Sequence, residues 1–161
     1  MTLSVGDKAP DFTLPSAHGE TLTLSALWAK HAIVLYFYPK DDTPGCTVEA
    51  CSFRDRYDAF AEAGAEVVGI SSDSAESHDR FASRHKLPMK LAADVDGKVR
   101  ALYDVRSTFG LLPGRATFVI DRQGIIRHKF VSQLRFSKHA EEALEAVKRI
   151  ESASGSAAAA P

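Results

Sequence analysis

Cys46 and Cys51 are the only two cysteines in the 161-residue chain. A chain of this length does not need them as the staples of a small secreted scaffold, and a reducing compartment would keep them as thiols. Reactivity is what remains to explain them. Cys46 directly follows Pro44-Gly45 and opens a segment of helical periodicity, so the N–H groups of the first turn point toward its sulfur and favour the thiolate. A thiol of pKa ~8.5 is only about 3% ionised at neutral pH, whereas one of about 6 would be about 90% ionised. That shift is worth about 3.4 kcal/mol, while a helix terminus supplies ~0.3–1 and at best ~2 kcal/mol. A cation must supply the rest. Arg115 is the candidate because it immediately precedes the apolar run Ala116-Thr-Phe-Val-Ile, and strand starts and helix starts can meet in α/β folds. Its alternative role is a solvated loop arginine after Pro113-Gly114.

Three further residues stand near the thiol in sequence. Thr43 can fold its hydroxyl back to the sulfur and donate to an oxygen of an incoming substrate, or simply cap the helix. Pro39 can exclude water without offering a competing donor, or merely end a strand. Glu49 can orient a nearby arginine, although a first-turn helix acid needs no such role, and it is left outside the catalytic set.

Several elements must hold these residues in place. Asp11-Phe-Thr-Leu and Thr21-Leu-Thr-Leu around Ser16-Ala-His-Gly-Glu read as a hairpin acting as a lid. The run Ala32 to Tyr38 reads as a buried strand, the loop Pro39 to Gly45 follows, and a helix is expected from about Cys46 to Ala63. Ala65 to Ser71 is a second strand, and Ser74 caps a helix through about Lys86. A short strand near Lys90 to Ala93, a helix near Lys98 to Tyr103, and an antiparallel hairpin around Asp121-Arg-Gln-Gly come next. An amphipathic helix from Ser137 to about Glu151 closes one domain, 1–151, leaving 152–161 as a disordered Ala/Ser-rich tail. The order implies a three-layer α/β domain whose mixed central sheet is flanked by helices.

Composition narrows the function. With 20 Lys+Arg against 21 Asp+Glu, no basic face for nucleic acid is expected. The longest apolar run is far shorter than the ~20 residues that span a bilayer. The N-terminus lacks a basic n-region and an apolar h-region, so a cytoplasmic location is expected. The six histidines are scattered without a His-x-x-x-His pair, so no metal is expected. A Cys-x-x-Cys dithiol site is also excluded, because the position three after Cys46 is Glu49. A redox-responsive binding module remains as the non-enzymatic alternative.

The segment Tyr36-Phe-Tyr-Pro-Lys-Asp-Asp-Thr-Pro-Gly-Cys-Thr-Val-Glu-Ala-Cys resembles the active-site region of peroxiredoxins. Their Pro-x-x-x-Thr-x-x-Cys pattern falls on Pro39, Thr43 and Cys46, and the second cysteine five residues later is similar to the peroxiredoxin Q, or bacterioferritin comigratory protein, branch. Gly6-Asp-Lys-Ala-Pro-Asp-Phe and Leu112-Pro-Gly-Arg-Ala-Thr-Phe extend the resemblance across the domain, with Arg115 matching the family's catalytic arginine. The connection between Val105 and Arg115 is short, resembling the cyanobacterial and plant type. The resemblance implies a thioredoxin-like fold, a peroxidatic Cys46, a resolving Cys51, hydroperoxide substrates, a thioredoxin or related dithiol reductant, no cofactor, and a monomer.

One consequence follows from helix geometry. Residues five apart on an α-helix have Cα atoms about 8.6 Å apart, whereas a disulfide needs about 4.4–6.8 Å. The first turns of the helix must therefore unwind, or rearrange, before Cys51 reaches Cys46.

Overall fold

Every residue of β3 (Ala32–Phe37) is buried, and its sequence Ala-Ile-Val-Leu-Tyr-Phe carries no polar alternation. Such a strand is stable only with both faces covered, which calls for the centre of a sheet. The computed structural model, which describes residues 3–105 and 114–159, places it there. β4 (Ala65–Ser71) pairs parallel with β3, and β5 (Lys90–Ala93) parallel with β4. On the other side, β6 (Ala116–Ile120) and β7 (Ile126–Val131) run antiparallel, giving the order β5-β4-β3-β6-β7. The Asp121 carboxylate accepts from the N–H groups of Gln123 and Ile125 and so folds the turn between β6 and β7.

Because side chains alternate along a strand, β3 feeds two cores. Val34 and Tyr36 join an apolar cluster closed by α2 (Pro44–Asp55), α3 (Tyr57–Glu62), α4 (Ala75–His85) and α6 (Phe136–Ala159) through Phe53, Phe60, Phe81 and Val147. Ile33, Leu35 and Phe37 join the opposite cluster with Phe12, Leu24 of α1 (Leu24–Trp28) and Val99 of α5 (Lys98–Leu102). The result is the expected α/β arrangement with three layers.

Five details differ from the sequence reading. The N-terminal hairpin, β1 (Thr13–Pro15) with β2 (Thr21–Thr23), bridges from Ser16 to Ala92 and covers the free edge of β5, so it protects a sheet edge and is not a lid. Its expected span was longer at both strands, and the short helix α1 was not anticipated. The helix expected from Cys46 to Ala63 breaks at Arg56, whose N–H turns to Phe53 O while its guanidinium takes Ser52 O, interrupting the ladder. Finally, α6 continues through Ala159 across most of the stretch read as a disordered tail, in keeping with the high helix propensity of alanine. Most of the short connection between Val105 and Arg115 lies at 106–113, outside the described residues.

The sheet brings two chain segments to one place. β3 ends at Phe37 opposite Ala116, so the loop leading into α2 and the residues leading into β6 leave the sheet side by side.

Candidate active site

The start of α2 is built by its sequence. Thr43 is extended (φ −89°, ψ 152°), and Pro44 begins the helix where its missing N–H costs nothing. Gly45 is required by contact: a Cβ there would lie 2.6 Å from the ring of Phe136 on α6. The first helical bond runs from Thr47 N–H to Thr43 O at 2.9 Å, so the N–H of Cys46 remains among the unsatisfied donors of the first turn. Cys46 itself is 1% exposed.

Arg115 stands where the charge argument requires a cation. Its Nη2 donates to Cys46 Sγ at 3.4 Å and its Nη1 to Glu49 Oε1 at 2.7 Å, while the ring of Phe136 lies 4.9 Å from the guanidinium. The arginine is buried, which rules out the solvated-loop alternative. Pro39 is half-buried in the loop ahead of α2. Thr43 departs from expectation, because its hydroxyl donates to Lys40 O at 2.8 Å and makes no helix-capping bond. A carbonyl three residues back closes the loop locally and outcompetes the sulfur as acceptor. The lone pairs of Thr43 Oγ1 remain available to accept. Cys51 is a free thiol on the same helix, half-buried, beside a shallow depression lined with Thr47, Ser52, Asp55 and Ser137.

The site also contains Glu49, which the sequence reading left outside the catalytic set, and His139 and Tyr36, which it did not place there. Glu49 is wholly buried, and burial pushes its carboxyl up to about 8 against the pull of Arg115. Its Oε2 has no hydrogen-bond partner and lies 3.6 Å from His139 Nε2. Burial in turn draws His139 down to about 4, leaving a neutral ring. With Nε2 2.8 Å from Ser132 O, that nitrogen carries the proton and donates, and Nδ1 accepts from the Thr117 hydroxyl at 2.7 Å. Tyr36 stacks on Phe53 at 4.3 Å, and burial holds its phenol well above the ordinary tyrosine value. Glu49 had one sequence signal, its position three after Cys46 on the same helix face. His139 had none, since its partner Thr117 is remote in the chain.

A buried thiol that accepts from an arginine at the start of a helix sits where negative charge on sulfur is stabilised. On a thioredoxin-like sheet that arrangement defines a thiol oxidoreductase. Residues 5–129 match the AhpC/TSA family, and the chain belongs to that family, in its peroxiredoxin Q branch. It is 45% identical over 149 residues to "Peroxiredoxin Q, chloroplastic" of Triticum aestivum, covering 92% of this chain and 68% of the wheat protein. It is 47% identical over 146 residues to the protein of that name from Sedum lineare, covering 90% and 78%. Among solved structures, peroxidoxin BcpB of Mycobacterium tuberculosis superposes with a TM-score of 0.84 at 39% identity, covering 91% of this chain and 97% of that one. A cysteine-to-serine mutant of Xylella fastidiosa PrxQ gives 0.85 at 30% identity, covering 93% and 98%. The chain is accordingly a peroxiredoxin, an enzyme with thiol-dependent peroxidase activity. Among the described residues no helix is long and apolar enough to cross a membrane. The plant relatives are named as chloroplastic, so the expected cytoplasmic location draws no support from them.

Proposed function

We propose that Cys46 is the peroxidatic thiol and Cys51 the resolving thiol of a two-cysteine peroxidase that reduces hydrogen peroxide and organic hydroperoxides. The observation that carries the reading is the 3.4 Å contact of buried Arg115 with Cys46 Sγ, with a second free thiol on the same helix. The Cys46 thiolate attacks one peroxide oxygen; the S–O bond forms as the O–O bond breaks, and its electron pair leaves with the other oxygen. That oxygen takes a proton and departs as alcohol or water, leaving Cys46 as sulfenic acid. Arg115 stabilises the charge developing between sulfur and oxygen. Thr43 Oγ1 accepts the hydrogen of the incoming hydroperoxide, its own hydrogen being held by Lys40 O. Pro39 walls the loop without adding a donor. Cys51 then attacks the sulfenic sulfur, water leaves, and a disulfide forms. Thioredoxin or a related dithiol restores both thiols by two exchange steps. The protein works as a monomer.

Rapid-quench intact mass and free-thiol counts on reduced protein given one equivalent of hydroperoxide test this directly. Loss of two hydrogens and both thiols, far faster than oxidation of free cysteine, is expected. Oxidation no faster than free cysteine would overturn the reading. Cys46→Ser should abolish turnover, whereas Cys51→Ser should keep the first oxidation and lose disulfide recycling. Normal turnover of Cys51→Ser with thioredoxin would remove Cys51 from the scheme.

A further inference from the structure

The hydrogen-bonded register of β3 and β6 ends at the pair Phe37 and Ala116. Past that point β3 runs into Pro39, which has no N–H to offer, and the carbonyls of Tyr38 and Gly114 lie outside the ladder. Arg100, on α5, reaches both. Its Nη1 donates to Gly114 O at 2.6 Å and its Nη2 to Tyr38 O at 2.8 Å. These are the carbonyls immediately ahead of Arg115 and Pro39, so one planar guanidinium spans the two segments that frame Cys46.

The arginine is itself held. Its backbone N–H donates to Asp94 Oδ2 at 2.9 Å, the neighbouring Val99 N–H donates to Asp94 Oδ1 at 3.2 Å, and the guanidinium lies 5.7 Å from the ring of Phe37. Burial draws its pKa below the ordinary arginine value, with Asp94 and Cys46 favouring its charge and Arg115 opposing it. A fork of fixed geometry can serve two carbonyls at once; a lysine ammonium on a flexible stem is not pre-organised for both.

We propose that Arg100 is a positioning residue of the peroxide site, splinting the segments that carry Pro39 and Arg115 and so setting where the Arg115 guanidinium meets the Cys46 sulfur. The proposal rests on the peroxidase reading of Cys46 and extends it to a side chain that acts on the sulfur only through its neighbours.

Arg100→Met and Arg100→Lys test it, each read by the rate of Cys46 oxidation and by the pH dependence of Cys46 alkylation with iodoacetamide. Arg100→Met should slow oxidation by hydrogen peroxide roughly 10- to 100-fold, the scale expected when a reacting group is displaced by about 1 Å. Its thiolate fraction at neutral pH should fall. Arg100→Lys, which keeps the charge and loses the fork, should likewise oxidise more slowly and hold less thiolate at neutral pH; a lysine that restored both would assign the effect to charge alone and overturn the proposal. A purely structural loss would lower the melting temperature and leave the alkylation profile of folded Arg100→Met unchanged, and that result would overturn the proposal. Oxidation of Arg100→Met within about twofold of the unmodified protein would overturn it as well. Should Arg100→Met fail to fold, an unmodified oxidation rate in Arg100→Lys is the overturning result. Slow oxidation of the unmodified protein itself would remove the peroxidase reading and this proposal together, whereas fast oxidation of both removes this proposal alone.

Discussion

Near neutral pH the raised Glu49 carboxyl keeps its proton in good part, so Arg115 can direct its charge to the Cys46 sulfur instead of sharing it with a carboxylate. Glu49→Gln imitates that protonated form. Its rate of peroxide oxidation at pH 7 should stay within about threefold of the unmodified protein, and the pH–rate profile should lose any inflection close to 8. Stopped-flow or quench kinetics from pH 6 to 9 would check this, and an unchanged inflection in the variant would assign it to another group. Thr43→Val keeps the shape and removes the Oγ1 acceptor, so oxidation should slow about tenfold or more. An unchanged rate would take Thr43 out of the scheme. At this scale Cys46 and Arg115 were legible in the sequence, one by its place after Pro44-Gly45 and the other by its place before an apolar strand. The Thr43 hydroxyl was misread, because the choice between Lys40 O and the sulfur depends on the path of the loop.

On the proposed two-cysteine mechanism, the helix α2 must be both a cradle and a hinge. Glu49 lies between Cys46 and Cys51 on it, so unwinding for the disulfide withdraws the carboxyl from Arg115. Because the folded carboxyl sits above the ordinary 4.5, the folded helix start holds a proton that the unwound segment gives up. Its stabilising contribution is complete below about 4.5 and is lost as pH rises through about 8. Hydrogen exchange at Thr47 to Ser52, corrected for intrinsic rate, should therefore quicken with pH in the reduced protein and be faster again in the oxidised one. Equal protection in both redox states would count against local unwinding. Gly45→Ala should destabilise the domain by about 1–3 kcal/mol, since the new methyl meets the Phe136 ring, and a denaturant midpoint would report it. The strand-loop-helix order of this region was readable from apolar runs and punctuation. The break at Arg56 was not, because it turns on a side chain competing for Ser52 O.

For the molecule as a whole, His139 and Glu49 shape stability in opposite directions. His139 is lowered from 6.5 to about 4 by burial, so the unfolded chain takes up a proton that the folded one refuses. That contribution is complete above about 6.5 and is lost as pH falls through about 4. Between about 4.5 and 6.5 the two slopes oppose each other. The melting temperature should be highest there and fall on either side, and Glu49→Gln should flatten the alkaline limb. Thermal melts across pH 4 to 9 would show it; a curve still rising between pH 7 and 8 would contradict the assignment.

By itself the sequence determined the α/β order, the central strand, the helix start carrying Cys46, and the distance two cysteines five apart must close. Each of these rests on local rules: apolar runs, proline and glycine stereochemistry, and helix rise. Only the tertiary structure decided that the hairpin guards the edge of β5, that His139 meets Thr117, that Glu49 is buried against Arg115, and that Arg100 bridges Tyr38 and Gly114. Those pairings join residues far apart in the chain, and their identity depends on which carbonyls and carboxylates the packed sheet leaves facing inward.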